Sequence, residues 1–165
     1  MKKIIVAILF AFMVGQASGQ NLEIRDIFKQ MPDSLMPYLT QNNKLDFLDF
    51  LDSNMKAEVK NRLGGTSEMT RLSADSLSIK MNNSLRTDLF LMPLSAPVDS
   101  VSSAVVMIET FLTDSIHGQS RVSYFTPEWK KWSGVPPLSD MQQKCIQISL
   151  LQNILKKDEE IVNKY

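Results

Sequence analysis

The stretch Ser76-Leu77-Ser78-Ile79-Lys80-Met81-Asn82-Asn83-Ser84-Leu85 decides the fold of this chain. Leu77, Ile79 and Met81 alternate with Ser76, Ser78 and Lys80. That period of two suits a strand with one buried face, whereas a helix repeats its apolar positions every three to four residues. Asn82-Asn83-Ser84 is a polar turn sequence, and Leu85 to Leu94 runs back as a second strand. Together they predict an antiparallel hairpin.

Toward the N-terminus the period changes. Gly64-Gly65 is the clearest punctuation in the chain and ends whatever Lys56 to Leu63 begins. Before it, Leu22, Ile24, Ile27, Phe28 and Met31 recur near the helical period until Pro32 stops them. Asp33 to Pro37 reads as a turn or short helix. A stronger helix follows: Leu45, Phe47, Leu48, Phe50, Leu51 and Met55 are apolar, while Asp46, Asp49 and Asp52 share the opposite face. Acids three apart on a helix lack the alternate spacing and irregular loop that calcium binding of the EF-hand kind needs. They read as a solvated face.

Toward the C-terminus, Pro93 and Pro97 are expected to close the second strand and open a loop at Asp99. Val101 to Phe111 is a β-branched-rich run that suits a central strand. Asp114-Ser115 turns it, and Val122, Tyr124 and Phe125 form the next strand. Thr126, Pro127 and Glu128 read as cap, first residue and first-turn acid of a short helix carrying Trp129 and Trp132 on one face. Beyond it the pattern supports two structures. Ser139 and Gln142 form a capping box for a helix whose stripe would be Met141, Cys145, Ile148, Leu151 and Leu155. Ile146, Ile148 and Leu150 instead alternate as a strand would. From Lys157 onward, Asp158-Glu159-Glu160 followed by Ile161 and Val162 suits a short terminal helix.

The chain has 165 residues, 18 basic and 18 acidic, with one Cys and one His. A single domain of this length buries a core without a metal or a disulfide. One Cys and one His exclude a zinc site of the Cys/His type, and no basic run marks a nucleic-acid surface. Lys2 and Lys3, the apolar Ile4 to Val14, and the small residues of Ala17-Ser18-Gly19 have the order of a secretory signal peptide cut before Gln20. A bilayer span needs about 20 apolar residues, so the apolar stretch is too short for one. Residues 1–19 are read as signal and 20–165 as one domain, periplasmic or extracellular, without stable membrane insertion once the signal is removed. Losing Lys2 and Lys3 leaves 16 basic against 18 acidic residues, a net charge of −2. In an oxidising compartment the unpaired Cys145 is expected to be buried and inert.

No residue set points to a reaction, a cofactor or a metal. His117 is the only imidazole available to a triad, and its neighbours Asp114 and Ser115 lie too close in sequence to assemble one with it. Glu109 and Glu128 are the carboxylates considered for glycoside cleavage, which needs a facing pair. Tyr124, Phe125, Trp129 and Trp132 concentrate aromatic surface in one stretch. Two readings stand for it. The short helix plugs the end of the core, or it offers a platform for a sugar or peptide, with Tyr124, Trp129 and Trp132 as the binding residues.

The order Met31-Pro32-Asp33-Ser34-Leu35-Met36-Pro37-Tyr38-Leu39, Leu45-Asp46-Phe47-Leu48-Asp49-Phe50, Asn61-Arg62-Leu63-Gly64-Gly65, Leu72-Ser73-Ala74-Asp75-Ser76-Leu77, then Asp114-Ser115 with Ser123-Tyr124-Phe125 and Trp129, resembles the domain of unknown function family 3256. These are small exported proteins of Bacteroidetes with no established activity, so the resemblance implies location and architecture. Where members often place a basic residue ahead of the second block's Asp, this chain has Leu45. The resemblance also implies a strand at about residues 144–151, followed by a helix.

The expected fold is therefore α+β, with N-terminal helices packed on one face of an antiparallel β-meander and a short C-terminal helix. The expected role is a non-catalytic binding or accessory module with a protein or glycan partner. The alternative is a carboxylate-dependent hydrolase acting on envelope or dietary polysaccharide, and a purely structural place in an envelope complex is a third reading.

Overall fold

The structure, a computed structural model, describes residues 22–112 and 118–150. The expected signal segment, the turn expected at Asp114-Ser115, His117 and the helix expected from Lys157 lie outside the described residues.

Six strands form one antiparallel sheet in chain order: β1 (Glu58–Lys60), β2 (Thr66–Leu72), β3 (Ser76–Lys80), β4 (Leu85–Val98), β5 (Val101–Leu112) and β6 (Gly118–Phe125). The hairpin read from Ser76 to Leu94 is β3 and β4, with Leu77 opposite Leu89 and Ser78 opposite Asp88. Its turn is held by Asn82, whose Oδ1 accepts the N–H groups of Ser84 (2.7 Å) and Leu85 (2.8 Å). The double glycine also marks a turn. Gly64 has φ +76°, and Asn61 Oδ1 accepts N–H bonds from Leu63 (3.0 Å) and Gly65 (3.1 Å).

The segment from Lys56 to Leu63, which the sequence pattern leaves open, contains a strand, β1; three residues with Val59 inward are too short to display a period. One expectation about the sheet is corrected: Pro93 and Pro97 do not close the second strand. β4 continues to Val98 and turns into β5 through Asp99 (φ 47°) and Ser100 (φ 67°), the paired left-handed residues of a two-residue hairpin loop. The prolines are tolerated because β3 reaches only as far as Phe90, which leaves this part of β4 an edge where no N–H is needed. The ladder bulges between Pro93 and Val98, and Ser95 N–H donates instead to Pro137 O at 2.8 Å.

One sheet face carries the main core. Helix α1 (Ile24–Lys29), a 3-10 turn (Asp33–Leu35) and α2 (Gln41–Asp52) cover it, burying Ile24, Ile27, Phe28, Phe47 and Leu48 against Leu77, Ile79, Leu89, Val105 and Met107. Thr40 caps α2 through a reciprocal pair with Asn43. The acidic face of α2 is put to use at its end, where Arg25 Nη2 of α1 donates to both oxygens of Asp52, at 2.7 and 2.8 Å. That hydrogen bond raises the Arg25 pKa above its usual value. The basic group that matters stands at Lys44, one residue before the place Leu45 holds. Lys44 is fully buried, and its ammonium donates to Met31 O and, at 3.0 Å, to Asp33 Oδ1, closing the α1 to α2 connection from inside.

The second face is apolar only across β4, β5 and β6, where Val106 and Ile108 pack with Phe90, Met92, Val122 and Tyr124. Residues 140–150 cover it as a helix, α3, which corrects the strand expected at 144–151. The Ser139 and Gln142 capping box forms: Gln142 N–H donates to Ser139 Oγ (3.3 Å) and Ser139 N–H to Gln142 Oε1 (2.8 Å). The buried stripe is Leu138, Ile146 and Leu150, four and eight apart, with Gln142 on the same side donating to Pro93 O at 2.9 Å. The other stripe faces outward. Met141 is 76% and Ile148 51% exposed, and Cys145 lies exposed between them, so its expected burial is also corrected.

Two outcomes follow from these placements. Lys44→Met leaves the buried Met31 carbonyl without its ammonium donor and is expected to cost about 1–3 kcal/mol in urea denaturation at neutral pH. Hydrogen bonding to Lys44 holds the Asp33 carboxyl below the ordinary carboxylate range. Its contribution is therefore present above that range and lost as pH falls through the folded-state value, so the gap between the two proteins should narrow in acid. Separately, a thiol reagent is expected to modify Cys145 in the folded protein without denaturant; protection until unfolding would contradict the outward stripe.

Candidate functional site

The aromatic stretch does not form a helix. Thr126 to Trp129 is a tight turn in which Trp129 N–H donates to Thr126 O at 2.9 Å, and Phe125 bridges Lys131 across it. Pro127 suits the second position of such a turn, which accounts for the Thr126-Pro127-Glu128 sequence that also mimics a helix start. Trp129 closes the loop with φ +65°, a left-handed conformation costly for a bulky residue. Burial holds it there. Trp129 is 8% exposed, its ring lies 5.7 Å from that of Phe125, and its Nε1–H donates to Ile27 O of α1 at 2.9 Å.

The four aromatics are thus divided between faces. Phe125 and Trp129 belong to the helix-covered core, where Trp129 acts as the plug. Tyr124 packs half-buried on the second face, and burial pushes its phenol above the usual tyrosine range. Trp132, half-buried, donates its backbone N–H to Tyr124 O at 3.0 Å, and its indole Nε1 is buried without a hydrogen-bond partner among the described residues. Of the three residues expected to bind, Tyr124 and Trp132 are half-buried and Trp129 is buried.

Elsewhere the second face is open. α3 covers its β4 to β6 half, and the β1 to β3 half carries polar side chains, exposed at Glu58, Thr66 and Lys80 and buried at Ser76 and Ser78. Four charges stand in register across the strands: Glu58 opposite Glu68, Glu68 opposite Lys80, and Lys80 opposite Arg86. Glu58, Glu68 and Lys80, with Lys56, Thr66, Asn82 and Asn83, line a shallow depression of about 410 Å³. Lys56 reaches both carboxylates, bonding Glu58 and standing 3.5 Å from Glu68, which offsets the cross-strand repulsion. The hydrogen bond that Lys56 donates to Glu58 raises the Lys56 pKa above its usual value. One row further on, Asp88 is 2% exposed, accepts from Ser78 Oγ, and is clasped by Arg86 Nε (3.0 Å) and Nη2 (2.9 Å). Arg71 lies over the Phe90 ring, 5.6 Å from its centroid.

Sequence reading overlooked this surface, although the alternation that buries Leu77 and Ile79 also aims Ser78 and Lys80 the other way. The carboxylates it considered stand elsewhere. Glu109 is nearly buried and accepts from Arg121 Nε at 2.9 Å, while Glu128 is exposed on the Trp129 turn. Among the described residues, no group of three or more His, Cys, Asp or Glu side chains is placed to hold a metal ion. An open, mixed-charge sheet face with a shallow depression offers hydrogen bonds and ion pairs to a polar partner.

The family model "Protein of unknown function (DUF3256)" matches residues 16–162. Among solved structures, a domain of an uncharacterised protein from Porphyromonas gingivalis W83 is similar, with a TM-score of 0.55 and 22% identity over 77% of this chain and 69% of that one. At that identity the likeness shows the fold alone. No curated protein matches.

The two indoles provide a check on these placements. Trp129→Ala is expected to cost about 3–5 kcal/mol, as removal of a core indole does. A Trp129→Phe protein, which retains Trp132, should show the larger acrylamide quenching constant, and a Trp132→Phe protein the smaller one.

Proposed function

The chain belongs to the family of unknown function DUF3256, and we propose that it is an exported, non-catalytic binding or accessory module that meets its partner through the bare polar half of the sheet. The single observation that carries this reading is the half-covered second face. α3 shields the apolar half, while Glu58, Glu68, Lys80 and Arg86 are presented by strands whose positions the ladder fixes. A rigid platform loses little conformational entropy when a partner arrives. Export rests on the Lys2-Lys3, Ile4 to Val14 and Ala17-Ser18-Gly19 order, with Gln20 as the mature N-terminus. The partner is a protein or a glycan.

The hydrolase reading has one observation in its favour, the direct opposition of Glu58 and Glu68. Lys56 weakens it. Its ammonium sits where a scissile oxygen and an attacking water would have to stand. Glu109 is likewise occupied by Arg121.

A photo-crosslinking amino acid placed at Thr66, on the open face, and at Asp49, on the outer side of α2, tests the proposal in the native envelope. Adducts are expected from Thr66 and not from Asp49. Equal labelling from both, or none from either, would contradict a partner surface on the sheet. Recovery of the protein from the cytosol with Met1 intact would contradict export.

A further inference from the structure

We infer that the occupant of the open face is a second copy of this chain, stacked sheet on sheet about a two-fold axis that runs along the strands between β2 and β3. The inference rests on the reading of that face as the binding surface and names what binds there. Its ground is the order of charge across the strands. In register from β1 to β4 the row reads Glu58, Glu68, Lys80, Arg86, acid on one side of the β2 to β3 boundary and base on the other.

A two-fold axis on that boundary inverts the row, so Glu68 meets the partner's Lys80 and Glu58 meets the partner's Arg86. Such a surface is complementary to itself, which is the requirement of an isologous dimer. Within one chain these charges are unevenly matched. Glu58 and Glu68 share Lys56, Arg86 is engaged by Asp88, and Lys80 forms no ion pair among the described residues. Lys80 is therefore the cation with most to gain, and the carboxylate it would meet, Glu68, has only the 3.5 Å approach of Lys56.

Shape agrees with charge. An axis along the strands superposes two sheets of the same twist, so their saddle surfaces nest. Stacked sheets lie about 10 Å apart, close to the diameter of a helix. α3 packs on β4 at Phe90, Met92 and Leu94, four or more residues along the strand from Arg86 and so from the level of Glu58; inversion, which carries β4 onto the partner's β1, places the helix past the end of that three-residue strand. Each helix then flanks the other sheet rather than colliding with it. Four strands at this spacing offer roughly 300 Å² per copy. That area belongs to weak, reversible association, and exposed ion pairs make it sensitive to salt.

Sedimentation equilibrium of the protein purified after export of the full chain tests this. Wild type is expected to dimerise with a dissociation constant in the micromolar range or above, weakened about tenfold or more between low and molar salt. Glu68→Lys and Lys80→Glu should each be folded by circular dichroism and monomeric. Mixed, they should dimerise, because each chain then presents one sign to the other's opposite. Wild type that stays monomeric at every concentration, a dimer indifferent to both reversals, or folded variants that fail to associate when mixed would overturn the inference. A monomeric wild type whose Thr66 crosslinker still captures another molecule would remove the second copy and leave the binding face standing; no dimer and no adduct would remove both.

Discussion

The structure depends on one constraint: β4 and β5 are apolar on both faces, while β1, β2 and β3 are apolar on one. Leu89, Val105 and Met107 point to one side, and Phe90, Val106 and Ile108 to the other. A strand pair of this kind is stable only between two covers, because each apolar face left in water forfeits the burial that drives folding. α1 and α2 supply the cover on one face, over Leu77, Ile79, Leu89, Val105 and Met107. α3 supplies the second only where it is required. The bare polar half of the sheet is thus the remainder of a packing requirement, and its outline follows from where the apolar residues on the second face stop.

Single side chains tie these layers together. Trp129 reaches from the turn after β6 to the carbonyl of Ile27, joining the last strand to the first helix. Lys44 closes the α1 to α2 connection from inside, and Arg25 with Asp52 clasps its outer end. Asn61 Nδ2 donates to Ser67 Oγ at 3.0 Å and to Met81 O at 3.2 Å, linking the double-glycine turn to the end of β3. The Trp129 indole, Lys44 and Asn61 are buried at these junctions and hydrogen-bonded there, which is how such groups add specificity without a large desolvation cost, whereas the Arg25–Asp52 pair is exposed to solvent.

Much of the architecture was legible because the signals are local. The period of two at Leu77, Ile79 and Met81, the Asn turn, the β-branched run from Val101 and the helical spacing before Pro32 each depend on neighbours a few residues away. Misreadings cluster where one local pattern suits two structures. Thr126-Pro127-Glu128 satisfies both a helix start and a turn, and the turn prevails because it delivers Trp129 to the core. Residues 144–151 alternate like a strand and also repeat like a helix. The Ser139 cap and the stripe of Leu138, Ile146 and Leu150 decide for the helix, since α3 must lie on a sheet face that already has its strands. Of the candidate binding residues, Trp129 was named for its chemistry and proved to be core, while Glu58, Glu68 and Lys80 passed unremarked as ordinary surface charges.

By itself, the sequence determined that this is an α+β chain with a meander and helices ahead of it, since periodicity and turn chemistry are properties of short segments. Tertiary structure alone decided which face each segment shows to the others. Burial of Lys44, exposure of Cys145 and alignment of Glu58, Glu68, Lys80 and Arg86 into one row all arise from distant segments meeting. The register that sets that row is a property of pairing between strands and is written in none of them singly.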